Sequence, residues 1–230
     1  MINWFKQILG CKEQQLEEEK AKLWNENLEL KNKLKQFAVN PKEEELNNKY
    51  PKKVITYAGR TLANGKQMVD IDVRNFFTLY DENIKLIVDK FSGDDDEKAV
   101  ECLSWVIDNI KYITDKQQLG IEEEWMFPYE TLITLKGDCD DGAILMANMI
   151  IISGVPYWKV RLTTGLVSNG DGHCYVTYYC EEQDSWKALD WCYFPNKLPI
   201  AQRVEYKEDK LYNAVWFSWN VKFGFYKGVN

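Results

Sequence analysis

The residues best suited to chemistry lie in the segment 137–142, which reads Gly-Asp-Cys-Asp-Asp-Gly. Gly137 permits a tight turn and Asp138 is a natural N-cap, so Cys139 is expected in the first turn of the apolar helix that follows. The free N–H groups and positive potential of a helix N-terminus stabilise a thiolate and can receive an oxyanion. Cys139 is therefore a candidate nucleophile, and the alternative is a small buried hydrophobic residue. The two aspartates that follow it are expected to face solvent, where they favour the helix dipole.

A single histidine restricts the choice of a general base. The chain contains one histidine, His173, at the start of a predicted strand. A thiol nucleophile needs a base within hydrogen-bond reach, and a carboxylate can orient that base and stabilise its cationic form. Asp190 ends the partner strand of the predicted hairpin and could take this role. The alternative is an ordinary surface histidine, because the loop conformation decides whether the two side chains share a face.

The cysteine pattern argues against a zinc site and against a disulfide framework. Six cysteines include no C-x-x-C pair, and one histidine cannot build a multi-histidine site. We therefore expect no metal ligands and no cofactor. Ile8-Leu9-Gly10-Cys11 resembles a lipoprotein cleavage box, but the apolar stretch before it is too short and is interrupted by polar residues. We expect reduced thiols in a cytoplasmic setting.

Composition excludes several classes of protein. The 230 residues are 45% hydrophobic and include 9 Trp and 13 Tyr, which is enough to bury a core and excludes wholesale disorder. No apolar run reaches the roughly 18 residues needed for a transmembrane helix. A net charge of -7 argues against a nucleic acid partner.

The segment 1–38 is predicted to be a long helix separate from the main domain. It contains leucines that recur every seven residues, from Leu9 to Leu30, without Pro or Gly after residue 10. The second seam position is polar at Glu13, Lys20 and Asn27, which weakens a coiled coil. Self-association, docking to a larger assembly, and packing against its own domain all stay open. The charged stretch 39–53 is predicted to be a linker.

The remaining chain, 54–230, is predicted to be one α+β domain. Helical spacing covers 81–91 and 95–113, with the acidic triplet 94–96 as a cap, and an apolar helix covers 139–153. Strands are expected at 69–73, 158–163, 173–180 and 186–191, and an alternating aromatic strand at 215–225. Helices followed by antiparallel strands indicate a buried nucleophile helix packed on an antiparallel sheet.

Three motifs in this order resemble the transglutaminase-like superfamily, relatives of the papain-like thiol enzymes, and are similar to its bacterial and phage-encoded members. They are Gly137-Asp138-Cys139-Asp140-Asp141, Gly172-His173-Cys174-Tyr175-Val176 and Trp186-Lys187-Ala188-Leu189-Asp190. The resemblance covers about 65 residues and leaves 1–50 and the C-terminal strand uncovered. Cys174 occupies a position that is usually small or apolar in the family.

The resemblance implies Cys139 as nucleophile, His173 as base and Asp190 as its orienting group, acting on an amide or ester of a protein or peptide through a thioester. Water as acceptor would give a protease or amidase, and an amine would give an acyl transferase. The second oxyanion donor is not fixed by a motif, and Trp125 is either that donor or a core residue. The alternative is a structural or interaction protein, such as a phage virion component, that docks through residues 1–38 and is virion-associated.

Overall fold

The computed structural model describes residues 40–57 and 71–227. The predicted helix 1–38, with its proposed self-association and docking, lies outside the described residues. The chain forms two compact units, Met1–Glu44 and Glu45–Asn230, and the second carries the site. Among the described residues, no helix is long and apolar enough to span a membrane.

The described residues form six α-helices and nine strands, with short 3₁₀ turns between several of them. The helices are α1 Pro41–Asn48, α2 Glu82–Val88, α3 Asp95–Asn109, α4 Asp115–Gln118, α5 Pro128–Thr134 and α6 Cys139–Ile152. The strands are β1 Thr56–Tyr57, β2 Ile71–Asp72, β3 Lys111–Tyr112, β4 Lys136–Gly137, β5 Val160–Val167, β6 Gly172–Cys180, β7 Ser185–Leu189, β8 Tyr212–Trp219 and β9 Gly224–Tyr226.

Helix α6 is the centre of the fold, as its sequence predicts. Its residues from Asp140 to Ile150 are buried, and the apolar ones join α2, α3, β5 and β6 in one core. Asn148 is a buried polar residue in the middle of this helix, and its amide is satisfied because its Oδ1 accepts from Thr78 N and its Nδ2 donates to Phe76 O. A helix that is apolar on every side has to be enclosed, and this one is.

The five larger strands form one antiparallel sheet in the order β7-β6-β5-β8-β9. One face packs on α6, and the opposite face carries a second core rich in tyrosine and tryptophan. Gly165 stands opposite His173 and lies at an irregularity in the β5–β8 pairing. A Cβ at Gly165 would lie 1.8 Å from Ala214 O, so only glycine lets β8 approach here. The helices and antiparallel sheet confirm the α+β prediction.

The acidic triplet 94–96 at the start of α3 contains the helix cap, as predicted. Asp94 Oδ1 accepts from Glu97 N, and Glu97 Oε2 in return accepts from Asp94 N. This reciprocal capping box uses two backbone donors that the first turn of a helix leaves without partners. The neighbouring Asp95 accepts from the buried ammonium of Lys159.

The aromatic stretch 215–225 is not one strand, contrary to the prediction. It forms the end of β8, a turn, and β9, which pairs antiparallel with β8. The turn forms because Asn220 Oδ1 accepts from the backbone N–H groups of Lys222 and Phe223. An asparagine side chain that bonds its own backbone in this way competes with the strand ladder.

Two other segments also differ from their predictions. The expected linker 39–53 contains α1, and Leu46 at its end is only 3% exposed. The carbonyl of Leu46 accepts from the buried guanidinium of Arg161, which anchors this part of the chain to the sheet. The strand predicted around Ile71 ends at Asp72, because the Asp72 carboxylate caps a 3₁₀ turn by accepting from Arg74 N.

Candidate active site

Cys139 is the first residue of α6, the position that the sequence predicts. Asp138 precedes it as the N-cap, and its backbone N–H donates to Asp141 Oδ2 at 3.2 Å. The indole of Trp191 donates to Cys139 O at 3.1 Å. Gly142 makes this contact sterically possible, because a Cβ there would lie 2.2 Å from the Trp191 ring. Asp138 and Asp141 therefore define the start of the helix, and Trp191 holds the backbone of Cys139 in place.

His173 and Asp190 form a buried pair on the sheet. His173 Nε2 lies 2.8 Å from Asp190 Oδ2, and both side chains are at most 1% exposed. Asp190 Oδ1 accepts from the backbone N–H groups of Cys192 and Tyr193, each at 3.1 Å. Tyr212 adds a hydroxyl that donates to Oδ2 at 3.2 Å. The carboxylate thus accepts four hydrogen bonds, which fix its orientation.

The Nδ1 atom of His173 is available to accept a proton. Its Nδ1 is buried and has no hydrogen-bond partner among the described residues. Because an ionised carboxylate can only accept, Nε2 carries the proton and Nδ1 offers a lone pair. Tyr193 lies against the ring with centroids 4.3 Å apart, and Tyr175 stacks at 5.4 Å. The imidazole is thereby held in one tautomer and one orientation.

Cys139 and His173 line the same cleft, which has a volume of about 430 Å³. The structure therefore brings the three predicted residues together, with Cys139 on the helix side and the His173–Asp190 pair on the sheet side. The rest of the lining is acidic or aromatic for the most part: Tyr112, Glu123, Trp125, Asp138, Asp140, Thr164, Gly172, Cys174, Tyr193 and Trp216.

The electrostatics at Cys139 differ from what the helix start alone predicts. Burial raises the pKa of the Cys139 thiol well above its ordinary value, and the nearby Asp138 raises it further. The backbone N–H of Cys174 and the helix N-terminus act in the opposite direction. The sequence places the acids on the solvent side, whereas Asp140 is only 2% exposed. The thiol therefore needs a base to take its proton, and does not rest as a free thiolate.

A group of carboxylates behind the cysteine was not singled out by the sequence. Asp115, Asp138 and Asp141 each place a carboxylate oxygen within 4.8 Å of the others. Met126 N donates to Asp141 Oδ1 at 2.8 Å, and Glu124 N donates to Asp115 Oδ2 at 2.5 Å. Oxygens of this kind are the ligands that hard cations prefer, although backbone donors already use part of their capacity. Asp115 lies at the start of the short helix α4, far from any motif.

Mutual repulsion and burial change the protonation of these acids. Burial, and then the charge of Asp138, raises the pKa of Asp115 to about 7. The pKa values of Asp140 and Asp141 also lie well above their ordinary range, because both are buried among neighbouring carboxylates. The helix side of the cleft therefore retains protons at pH values where exposed carboxyl groups are ionised.

Trp125 is a core residue whose indole N–H is already used. Its Nε1 donates to Glu123 Oε1 at 2.8 Å, and its ring stacks between Tyr57 and Trp219 at 4.6 and 5.5 Å. In this arrangement Trp125 cannot give a second bond to an oxyanion. The backbone N–H of Cys139 lies in the first turn of α6, where helix geometry leaves it without a partner inside the helix, so it is a candidate oxyanion donor.

Part of the chain is similar to a described protein family. Residues 90–185 match the family model described as bacterial transglutaminase-like cysteine proteinase BTLCP. This range contains Cys139 and His173 and ends before Asp190. No curated protein matches the chain.

Several solved structures are similar to the chain. LapG of Legionella pneumophila, in an EGTA-treated form, is 19% identical, with a TM-score of 0.45 over 63% of this chain and 84% of that chain. A protein from Cytophaga hutchinsonii, described as a candidate cysteine protease, is 18% identical, with a TM-score of 0.38 over 64% and 49% of the two chains.

The family match and the three sequence motifs indicate the same superfamily. The motifs lie on the buried helix that begins at Cys139 and on the antiparallel sheet. The match over residues 90–185 supports a relationship of this part of the chain to the transglutaminase-like superfamily.

Proposed function

We propose that the chain is a cysteine protease that hydrolyses peptide bonds with Cys139, His173 and Asp190. One observation carries the proposal. Among the described residues, His173 Nδ1 is buried without a hydrogen-bond partner, the ring lines the same cleft as Cys139, and Nε2 is held by Asp190. A base whose second nitrogen is fixed by a carboxylate, beside a thiol at a helix start, is the arrangement that thiol catalysis requires.

Acylation follows from these positions. His173 Nδ1 takes the thiol proton as Cys139 Sγ attacks the carbonyl carbon, and the resulting oxyanion is stabilised by the N–H of Cys139. The C–N bond then breaks as His173 returns the proton to the departing amine, which leaves a thioester on Cys139. Asp190 stabilises the imidazolium during this step and keeps its own charge.

Deacylation uses the same base in a second cycle. His173 takes a proton from water, the hydroxide attacks the thioester carbon, and the C–S bond breaks with release of the carboxylic acid and return of the thiol proton. An amine in place of water would form a new amide. We favour water because the matching family model is described as a proteinase.

A cleavage assay on the full chain tests this function. The probe is a peptide mixture prepared from a proteome, and mass spectrometry detects new N- and C-termini after incubation. Cys139→Ala removes the nucleophile and should abolish all new termini. Cys102→Ala is the matched control, because Cys102 is a fully buried thiol in α3 outside the cleft and should leave cleavage intact.

Three results would contradict the proposal in different ways. Cleavage that survives in Cys139→Ala would assign it to another nucleophile. New amide linkages to added amines, without new termini, would make the chain an acyl transferase. An unsubstituted chain that produces neither would leave a binding or structural role.

A further inference from the structure

Tyr212 reaches the site from β8, a strand that contributes nothing to the three motifs. Its hydroxyl donates to Asp190 Oδ2 at 3.2 Å, the same oxygen that accepts from His173 Nε2 at 2.8 Å. Its side chain is nearly buried, with 9% of the residue exposed. The Asp190 carboxylate is therefore shared between the base and a tyrosine hydroxyl.

The ring of Tyr212 is also part of the support behind the histidine. It packs on Tyr175 with centroids 4.4 Å apart, and Tyr175 in turn stacks on His173 at 5.4 Å. Tyr206 contacts both tyrosines, and its hydroxyl lies 2.5 Å from that of Tyr175. Tyr212 is thus connected to the imidazole of His173 in two indirect ways, through the shared carboxylate of Asp190 and through the stacked ring of Tyr175.

We propose that Tyr212 is a positioning residue that sets the basicity of His173 by dividing the charge of Asp190. A hydroxyl that donates to a carboxylate draws negative charge away from the oxygen that faces the imidazole. The imidazolium is then less stabilised, so the base releases its proton more readily. The role of His173 in catalysis rests on the proposed function, whereas the effect on its titration does not.

The hydroxyl remains a donor throughout the working range. Burial, and then the charge of Asp190, raises the pKa of Tyr212 far above its ordinary value, so the O–H keeps its proton. Other titratable groups also face or surround His173 and have to stay constant in a test. They include the N-cap Asp138 and Cys139 at the start of α6, Tyr175 on β6, and Asp190, Cys192 and Tyr193 after β7.

The single histidine makes a direct measurement simple. In protein labelled with ¹⁵N-histidine, the only imidazole signals belong to His173, and their shifts report both the tautomer and the titration midpoint. Tyr212→Phe removes the hydroxyl and keeps the ring contacts. We expect the midpoint of His173 to rise by about half to one pH unit, because a hydrogen bond to a charged group is lost.

Tyr179→Phe is the matched control. Tyr179 is a buried tyrosine of the same aromatic core, and its hydroxyl also donates to a carboxylate, that of Asp184, away from the cleft. This variant should leave the His173 midpoint unchanged. In an Asp190→Asn background, Tyr212→Phe should add no further shift, because its effect passes through that carboxylate.

Each other outcome would overturn the proposal. An unchanged midpoint in Tyr212→Phe, or an equal shift in Tyr179→Phe, would leave Tyr212 as a packing residue. A Tyr212→Phe protein that fails to fold would make the hydroxyl a structural group. None of these readings needs a substrate, so an inactive but normally titrating protein would contradict the proposed protease function and leave this inference standing.

Discussion

On the sheet side of the cleft, both oxygens of Asp190 accept two hydrogen bonds each. On the helix side, buried oxygens of Asp138 and Asp140 have no hydrogen-bond partner among the described residues. The first arrangement keeps a charge in place and holds the imidazole beside it. The second crowds carboxyl groups around a thiol and raises the pKa of each. Under the proposed function, the base His173 is therefore held in position by Asp190, while burial and nearby charge disfavour ionisation of the Cys139 thiol.

The largest effect is expected on the sheet side. Asp190→Ala removes the acceptor of four hydrogen bonds. The proton of His173 is then no longer held on Nε2, and the imidazolium is no longer stabilised by a nearby carboxylate. We expect kcat for peptide cleavage to fall by about 10²–10⁴-fold, the usual contribution of a positioned general base. Steady-state kinetics on a cleaved peptide measures this loss.

Asp209→Ala is the control for that comparison. Asp209 also accepts a backbone hydrogen bond, from Leu211 N, but it lies on an outer loop. It should keep normal kcat. If Asp190→Ala retained more than about a tenth of the activity in a folded protein, the sheet side would not be the prepared half of the site.

A second effect concerns the stability of the fold as a function of pH, which depends on the buried acids of the helix side. An acid whose pKa is higher in the folded chain than in the unfolded chain binds more protons when folded. Its contribution to stability is complete below the unfolded value, near 4, and is lost as the pH rises through the folded value. For Asp115, with a pKa raised to about 7, this window runs from pH 4 to 7.

Urea unfolding as a function of pH tests this prediction. The free energy of unfolding of the unsubstituted chain should fall by on the order of 1–4 kcal/mol across the window, and Asp115→Asn should reduce the fall. Asp108→Asn replaces an exposed carboxylate paired with Lys197 and should leave the slope unchanged. A stability that instead rises from pH 4 to 7 would show that the acids behind Cys139 are ionised in the folded chain.

The sheet side could largely be predicted from the sequence, and the helix side only in part. His173 lies on β6 and Asp190 directly follows β7, the partner strand of the same hairpin, so a short stretch of chain brings them together once the register is set. The buried helix was also predictable, because its residues are apolar on every side. These features depend on local spacing.

The remaining features depend on contacts between distant parts of the chain. Asp115 joins Asp138 and Asp141 only through the fold, and Tyr212 reaches Asp190 from a strand that no motif marks. The aromatic alternation of 215–225 predicts one strand, but a turn at Asn220 separates it into β8 and β9, because the Asn220 side chain accepts a hydrogen bond from the backbone. Sequence spacing does not report such long-range packing, and therefore the acidic environment of Cys139 was expected to face solvent.

The smallest expected effect tests the charge next to the nucleophile. Asp138→Asn keeps an N-cap of similar strength, because asparagine and aspartate cap helices equally well, but removes one negative charge near Cys139 Sγ. The pKa of the thiol should fall, so alkylation of Cys139 by iodoacetamide at pH 7.5 should become several-fold faster, on the order of the tenfold change that one pKa unit represents. Peptide mapping by mass spectrometry gives the rate at this cysteine alone.

The matched control for that charge is another N-cap. Asp81 caps α2 by accepting from Asn83 N and Ile84 N and does not line the cleft, so Asp81→Asn should leave the alkylation rate unchanged. A slower reaction in Asp138→Asn would mean that this acid assists the thiol, for example by sharing its proton with Asp140. The contrast between a prepared base and a restrained nucleophile would then fail on the helix side, because the carboxyl groups would be part of the proton path to Cys139.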